Sequence, residues 1–293
     1  MERLHHPRGG FTLIELSIVL VIIGLIVGGV LVGRDLIKAA ELRATITQVE
    51  KFNTAVNTFY GKYGALPGDL NQQVASTFGF AARGQYAGEG DGNGVIEGNW
   101  SNCSGCNSGD SEGAGETVMF WVDLSQASLI EGSFTQASYS NPSGIISNAQ
   151  MPAYFPAAKI GNGNYFYVWE SESASGGNST NYFGLSSVNS IASNKISPAA
   201  NPGLSIQQAY SIDNKIDDGL PQSGRVQALY LTQTAWPAWA SDSTNNYGTP
   251  FTTATTGSSS TCFDNGGGSG PQQYSITQNG GAGVNCALSF QFQ

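Results

Sequence analysis

From Phe11 to Gly33 the chain runs for 23 residues with a single ionisable side chain, Glu15. As a helix this stretch is about 35 Å long, enough to cross the hydrocarbon core of a bilayer. Residues 1–10 form a basic preface, and whatever follows Gly33 must either extend the helix or be carried by it. No proline occurs between Phe11 and Gly61, so nothing there forces the helix to break. After Gly33 the pattern becomes amphipathic. Leu36, Ile37, Ala40, Leu42, Ala44, Ile46, Val49, Phe52, Val56 and Phe59 recur at helical spacing, while Glu41, Arg43, Glu50 and Lys51 fill the other surface. The spacing predicts one helix over residues 11–61, about 75 Å long, with 11–33 in the membrane and the second half docking a head. Gly24, Gly28, Gly29 and Gly33 are its soft points. Each costs about 1 kcal/mol relative to alanine in a helix interior, although small residues also let membrane helices pack closely. The helix is expected to stop at Gly61-Lys-Tyr-Gly64, before a turn at Leu66-Pro67-Gly68-Asp69-Leu70.

The remainder, residues 62–293, reads as a loop-rich extracytoplasmic head. Glycine contributes 39 residues to the chain and charged side chains only 11%, and residues 244–283 are low in complexity. The helix is neutral, but from Lys62 onward 6 basic residues face 16 acidic ones, a net of −10. That balance argues against nucleic acid as a partner, because counterion release needs Lys and Arg against phosphates. Cys103, Cys106, Cys262 and Cys286 all lie beyond the apolar segment, which suits an oxidising compartment and one or two disulfides. Of three connectivities, Cys103 with Cys106 and Cys262 with Cys286 is the one expected. Closing the second loop contributes about 3.5 kcal/mol on the chain-entropy model. The Cys-Ser-Gly-Cys spacing also fits a redox or half-zinc motif. Against this, no second such pair occurs, and the histidines, His5 and His6, stand in the preface.

A secretory signal places its apolar run before the cleavage site; here the run follows Gly9-Gly10. A lone carboxylate in a membrane helix costs up to about 2.5 to 3.5 kcal/mol, so such residues are usually paired and functional. Gly10-Phe11-Thr12-Leu13-Ile14-Glu15 before an unbroken apolar helix resembles the N-terminus shared by type IV pilins and type II secretion pseudopilins. Tyr63-Gly-Ala-Leu-Pro-Gly-Asp-Leu70 is similar to the end of the long helix in such proteins, so the likeness covers roughly Arg8 to Leu70. The resemblance implies that a prepilin peptidase cuts between Gly10 and Phe11 and methylates the new amino group of Phe11. It also implies that Glu15 pairs with the Phe11 amino group of a neighbouring subunit. The alternative is that Glu15 merely marks the interfacial edge of the bilayer. Many pilins have a proline in this helix; Val32 stands at that place here, leaving the glycines as candidates for local melting. The implied product is a homo-oligomeric filament, built by an inner-membrane assembly platform from a single-pass inner-membrane precursor and ending extracellular or periplasmic.

The fold class expected is α+β, with the long helix packed on a head containing an antiparallel β-sheet. Head helices are predicted over Thr117 to Ile130 and Gly203 to Gly219. Strands are predicted at Gly144 to Ile146, Tyr165 to Trp169, Tyr182 to Leu185, Val226 to Thr232 and Ala287 to Phe292. The stretch 72–116 reads as irregular. Within it, Glu89, Asp91 and Asn93 alternate with glycines, and Val95-Ile96-Glu97 follows, like the first half of an EF-hand loop. Its twelfth position is Trp100 rather than glutamate, which excludes a complete EF-hand and leaves Glu97, Glu112 or Asp123 to close a different cage; the choice is between a structural calcium and a simple glycine turn. Asp217 and Asp218 end a predicted helix, where acids oppose the macrodipole; Arg225 or a cation is expected to answer them.

No nucleophile elbow or phosphate loop is present, and no histidine follows the preface. No catalytic residue and no required cofactor are therefore expected. A membrane-anchored hydrolase using Asp213, Asp217 and Asp218 is the remote alternative. The nearer one is a minor or tip pilin, or a secretion pseudopilin, whose head binds a partner.

Overall fold

Thr12 opens the long helix by accepting the amide of Glu15, while Glu15 reaches back to the amide of Thr12, a reciprocal cap that satisfies two otherwise orphan donors. From there helix α1 runs without interruption from Leu13 to Tyr63, 51 residues. In the computed structural model the described residues are 12–84, 88–98, 114–139, 145–171, 180–191, 198–231, 237–240, 261–265, 270–277 and 281–292. The helix passes through Gly61 and ends at Gly64, whose φ of 76° is left-handed and whose N–H reaches the Tyr60 carbonyl. Glycine alone does not end a helix; the chain stops where the left-handed residue closes the last turn.

Two environments divide α1. Its large apolar side chains from Leu13 to Ile37 are exposed, whereas Thr45, Val49, Phe52, Ala55, Val56 and Phe59 are buried in the head. Phe52 is the centre of that contact, with its ring 5.0 Å from Trp121, 5.2 Å from Phe166 and 5.9 Å from Phe183. Gln48 adds a polar clasp, donating to the Ala157 carbonyl and accepting from the Lys159 amide, both at 3.0 Å.

The head is α+β. Helix α2 (Gln72–Phe78) is followed by α3 (Glu116–Gln126), and strand β1 (Ile146–Ser147) leads into a 3-10 turn at Asn148–Ala153. Strands β2 (Asn164–Glu170) and β3 (Asn181–Ile191) pair antiparallel along the whole of β2. After β4 (Pro198–Asn201) and β5 (Leu204–Ser205) comes α4 (Ile206–Ile216), then β6 (Val226–Gln227), β7 (Leu229–Leu231), β8 (Pro237–Trp239), β9 (Phe263–Asp264), β10 (Gln273–Tyr274), β11 (Val284–Cys286) and β12 (Leu288–Gln291). Strand β3 organises the main sheet. Its first half lies between β2 and β12, its second half pairs with β1 and β4, and β6 adds to β12, all antiparallel. Side chains of α1, α3 and this sheet meet in one aromatic core, where Phe183 stacks on Phe292 at 4.2 Å and Trp169 on Tyr182 at 4.8 Å.

Several elements differ from expectation. Residues 72–78, expected irregular, form α2, capped by the Asn71 side chain and by left-handed Gly79. The strand expected over Tyr182 to Leu185 continues to Ile191 through three serines and an asparagine, because β2 and then β1 and β4 supply its backbone partners there. Val226 to Thr232, read as one strand, is two: the Ala228 amide leaves the ladder for the Pro221 carbonyl, and β7 pairs with β8 instead.

Candidate functional site

The first candidate lies at the start of α1. Both donors of Thr12, its amide at 2.8 Å and its hydroxyl at 2.7 Å, go to Oε2 of Glu15. Glu15 is thus anchored within its own chain by one oxygen, which leaves Oε1 for another partner. Ser17 returns its hydroxyl to the Ile14 carbonyl at 2.8 Å, hiding its polarity in the helix. Gly10 and Phe11 lie outside the described residues, so the expected cleavage point carries no geometry.

The second candidate contains the 89–97 loop, read from the sequence as either a calcium site or a simple glycine turn. Its backbone folds around a residue from the preceding turn: Asp69 accepts the amides of Gly92 at 2.7 Å, Asn93 at 3.2 Å and Gly94 at 2.8 Å. Glu116, the first residue of α3, accepts the amides of Gly90 at 2.8 Å and Glu97 at 2.9 Å. Two buried acids therefore lace the loop to α3 and to the end of the turn after α1. Asp91 and Asn93 serve the loop itself, Asp91 accepting the Asn93 amide at 3.0 Å and its side-chain NH2 at 3.1 Å. One oxygen each of Asp69, Asp91 and Glu116 lies within 4.8 Å of the others, and Glu89 and Glu97 stand outside this trio. Asn93 reaches Glu97 at 3.3 Å, and both glutamates are buried. Burial pushes Asp69 up to about 7 against the pull of the three amides, and burial followed by the charge of Asp69 pushes Glu116 well above the ordinary carboxylate range.

A buried ion pair stands behind this loop. Arg83 Nη2 meets Asp123 Oδ2 at 2.8 Å with both side chains fully enclosed, and the same oxygen accepts the Gly68 amide at 2.7 Å. Gly68 is left-handed at φ 86°, and a Cβ there would lie 2.4 Å from the Glu116 carbonyl oxygen, so only glycine lets the turn lie this close to α3. Tyr139 closes the corner by donating to the Gly68 carbonyl at 2.9 Å. Asp123, named from the sequence as one acid that could close a calcium cage, instead pairs with Arg83, and the sequence pattern did not single out Asp69, Glu116 or Arg83. The signal for Asp69 was Pro67-Gly68-Asp69 itself, a turn with an acid at its exit; the others had none.

At the end of α4, Asp217 and Asp218 are answered differently from expectation. Arg225 gives Asp217 its backbone amide, while its guanidinium turns to the Gln291 carbonyl at 3.5 Å. Asp218 takes the Leu220 amide at 2.8 Å and the Ser223 hydroxyl at 2.7 Å. Backbone donors do what a counter-charge was expected to do. Cys262 and Cys286 form a buried disulfide with 5.0 Å between Cα atoms, whereas Cys103 and Cys106 lie outside the described residues. Residues 6–31 match the family model for the prokaryotic N-terminal methylation motif. No curated protein matches the chain, and no solved structure does.

Proposed function

The chain carries in residues 6–31 the methylation signature of prepilins and pseudopilins, and from that premise we propose that it is a structural subunit of a type IV pilus-like filament. The signature marks a membrane-anchored precursor of a structural family rather than an enzyme, processed by prepilin peptidase before filament assembly. In the proposed route the enzyme cuts between Gly10 and Phe11 and methylates Phe11, and an inner-membrane assembly platform draws the helix out of the bilayer into an extracellular or periplasmic filament. The observation that carries this reading is the division of α1: its first half exposes an apolar surface with Glu15 as its one charge as far as Gly33, while its second half is fixed in the head. Such a surface needs lipid first and neighbouring helices afterwards, because water is not a solvent for it. Glu15 is the assembly residue, with Oε2 held by Thr12 and Oε1 offered to the Phe11 amine of the next subunit. Glu15→Ala is expected to leave cleavage at Gly10 intact, read by mass spectrometry, and to abolish filaments in electron micrographs. Normal filaments from that variant would remove the pairing.

The size of the head, residues 62–293, supports the second reading, a minor or tip subunit or a secretion pseudopilin that binds a partner. Purified filaments containing the chain as their main protein would exclude that reading; trace amounts would exclude the major-subunit one. Calcium, one of the two alternatives read for the 89–97 loop, is proposed at Asp69, Asp91 and Glu116, whose oxygens converge with no basic side chain paired to them among the described residues. Its test is the melting temperature with calcium or with chelator, a rise with calcium that Asp91→Ala removes; an equal temperature in both buffers would end the proposal.

A further inference from the structure

Asp213 is a buried acid that neither filament assembly nor the 89–97 loop uses. It lies in the last turn of α4, fully enclosed, and its two oxygens join three pieces of the head. Oδ2 accepts the hydroxyl of Tyr274 at 2.8 Å, and Oδ1 accepts the amide of Gly219 at 3.2 Å. Tyr274 belongs to β10, which pairs with β9, and the next residue, Ser275, donates its amide to the carbonyl of the disulfide-bonded Cys262. The Gly219 amide opens the 217–226 turn, which delivers Val226 to β6 at the end of the main sheet. One side chain therefore holds both the disulfide-anchored hairpin and the turn against α4.

The charges around it are unfavourable. Oxygens of Asp213, Asp217 and Asp218 lie within 4.8 Å of one another, and among the described residues none of the three is in an ion pair. From β10 comes Tyr274, and within α4 Tyr210 stands with its ring 6.0 Å from that of Tyr274 while Lys215 is exposed. Asp264, on β9, accepts the Ser275 hydroxyl. Strands β5, β6 and β11 bring no titratable side chain except Cys286, which is in the disulfide. Helix α1, which also packs on α4, carries its charges at exposed positions, with Glu41 half-buried.

We propose that Asp213 is a proton-operated joint: protonated, it keeps the 217–226 turn and the 273–276 end of the hairpin closed on α4, and ionised, it shifts both toward an open state. Burial, opposed by the bonds from Tyr274 and Gly219, raises this carboxyl to about 7, against 3.8 when free. The closed state therefore holds a proton that the open state gives up, so closure is favoured at low pH, weakens between about pH 4 and about pH 7, and is level above that.

Amide hydrogen exchange on the full chain in detergent with chelator, corrected for intrinsic rates, reads this directly. Between pH 4.5 and pH 8.0, protection at residues 219–226 and 273–276 is expected to fall on the order of tenfold or more, while residues 208–212 of α4 hold theirs. Asp213→Asn, uncharged at both values, is expected to show no such fall. Equal protection of the wild-type segments at the two pH values would overturn the joint, and so would an undiminished pH dependence in Asp213→Asn.

Discussion

The two halves of α1 share one backbone and differ in what their side chains meet. Leu13 to Gly33 shows apolar surface all round except at Glu15 and Ser17, and Thr45 to Phe59 buries one stripe against α3 and the sheet while keeping Glu50 and Lys51 in water. The contrast teaches that helix formation does not distinguish a docking segment from an assembly segment. What distinguishes them is whether polar residues appear at regular intervals. Where they do, the helix has a wet side and a fixed partner in its own chain; where they do not, it must find its partner outside.

The sharpest way to break this contrast is to cut an aromatic from the docked half and an aliphatic from the free half. Phe52→Ala is expected to destabilise the head by about 3 to 5 kcal/mol, because its ring touches three others, whereas Ile22→Ala should leave the melting temperature unchanged. Equal losses would mean that the exposed half also packs on the head. A comparable loss, about 3 to 5 kcal/mol, is expected from Asp123→Ala, which leaves the Arg83 cation enclosed without its partner; chemical denaturation checks it. A smaller effect concerns pH. Asp69 and Glu116 are both raised by burial, so the folded head holds protons the unfolded chain releases. Stability is therefore expected to fall as pH rises from about 4 to about 7, and a melting temperature higher at pH 8 than at pH 5 would contradict it. At the small end, Gly64→Ala has no neighbour within 4 Å to clash with and acts through its left-handed backbone alone. A loss of about 1 kcal/mol is expected. Lys51→Ala removes an exposed 3.9 Å contact with Glu131 and is expected to cost less than about 0.5 kcal/mol.

Legibility followed the range of the interactions. The course of α1 could be read because its apolar period is local and uninterrupted, and the aromatic strands β2 and β3 could be read because Tyr165 to Trp169 and Tyr182 to Leu185 are rich in strand formers. The caps of α2 were also local: Asn71 and Gly79 stood in the sequence and were passed over amid polar residues. By contrast, β3 gains its last four residues only from partners supplied by β1 and β4, and Ala228 interrupts a good strand pattern because Pro221, seven residues earlier, offers a carbonyl. The carboxylates follow the same rule. Asp91 and Asn93 announced a loop, but the acids that the loop folds around, Asp69 and Glu116, come from 24 residues before Asn93 and 19 residues after Glu97, and no spacing rule links them.

Cysteine cross-linking in assembled filaments tests most directly the proposal that the exposed half of α1 is the polymerisation surface. Val27→Cys, in the free half, is expected to give a ladder of covalently joined subunits on oxidation, while Ala55→Cys, buried in the head, is expected to give monomer only. Filaments that form normally, yet yield a ladder from Ala55→Cys and none from Val27→Cys, would contradict it.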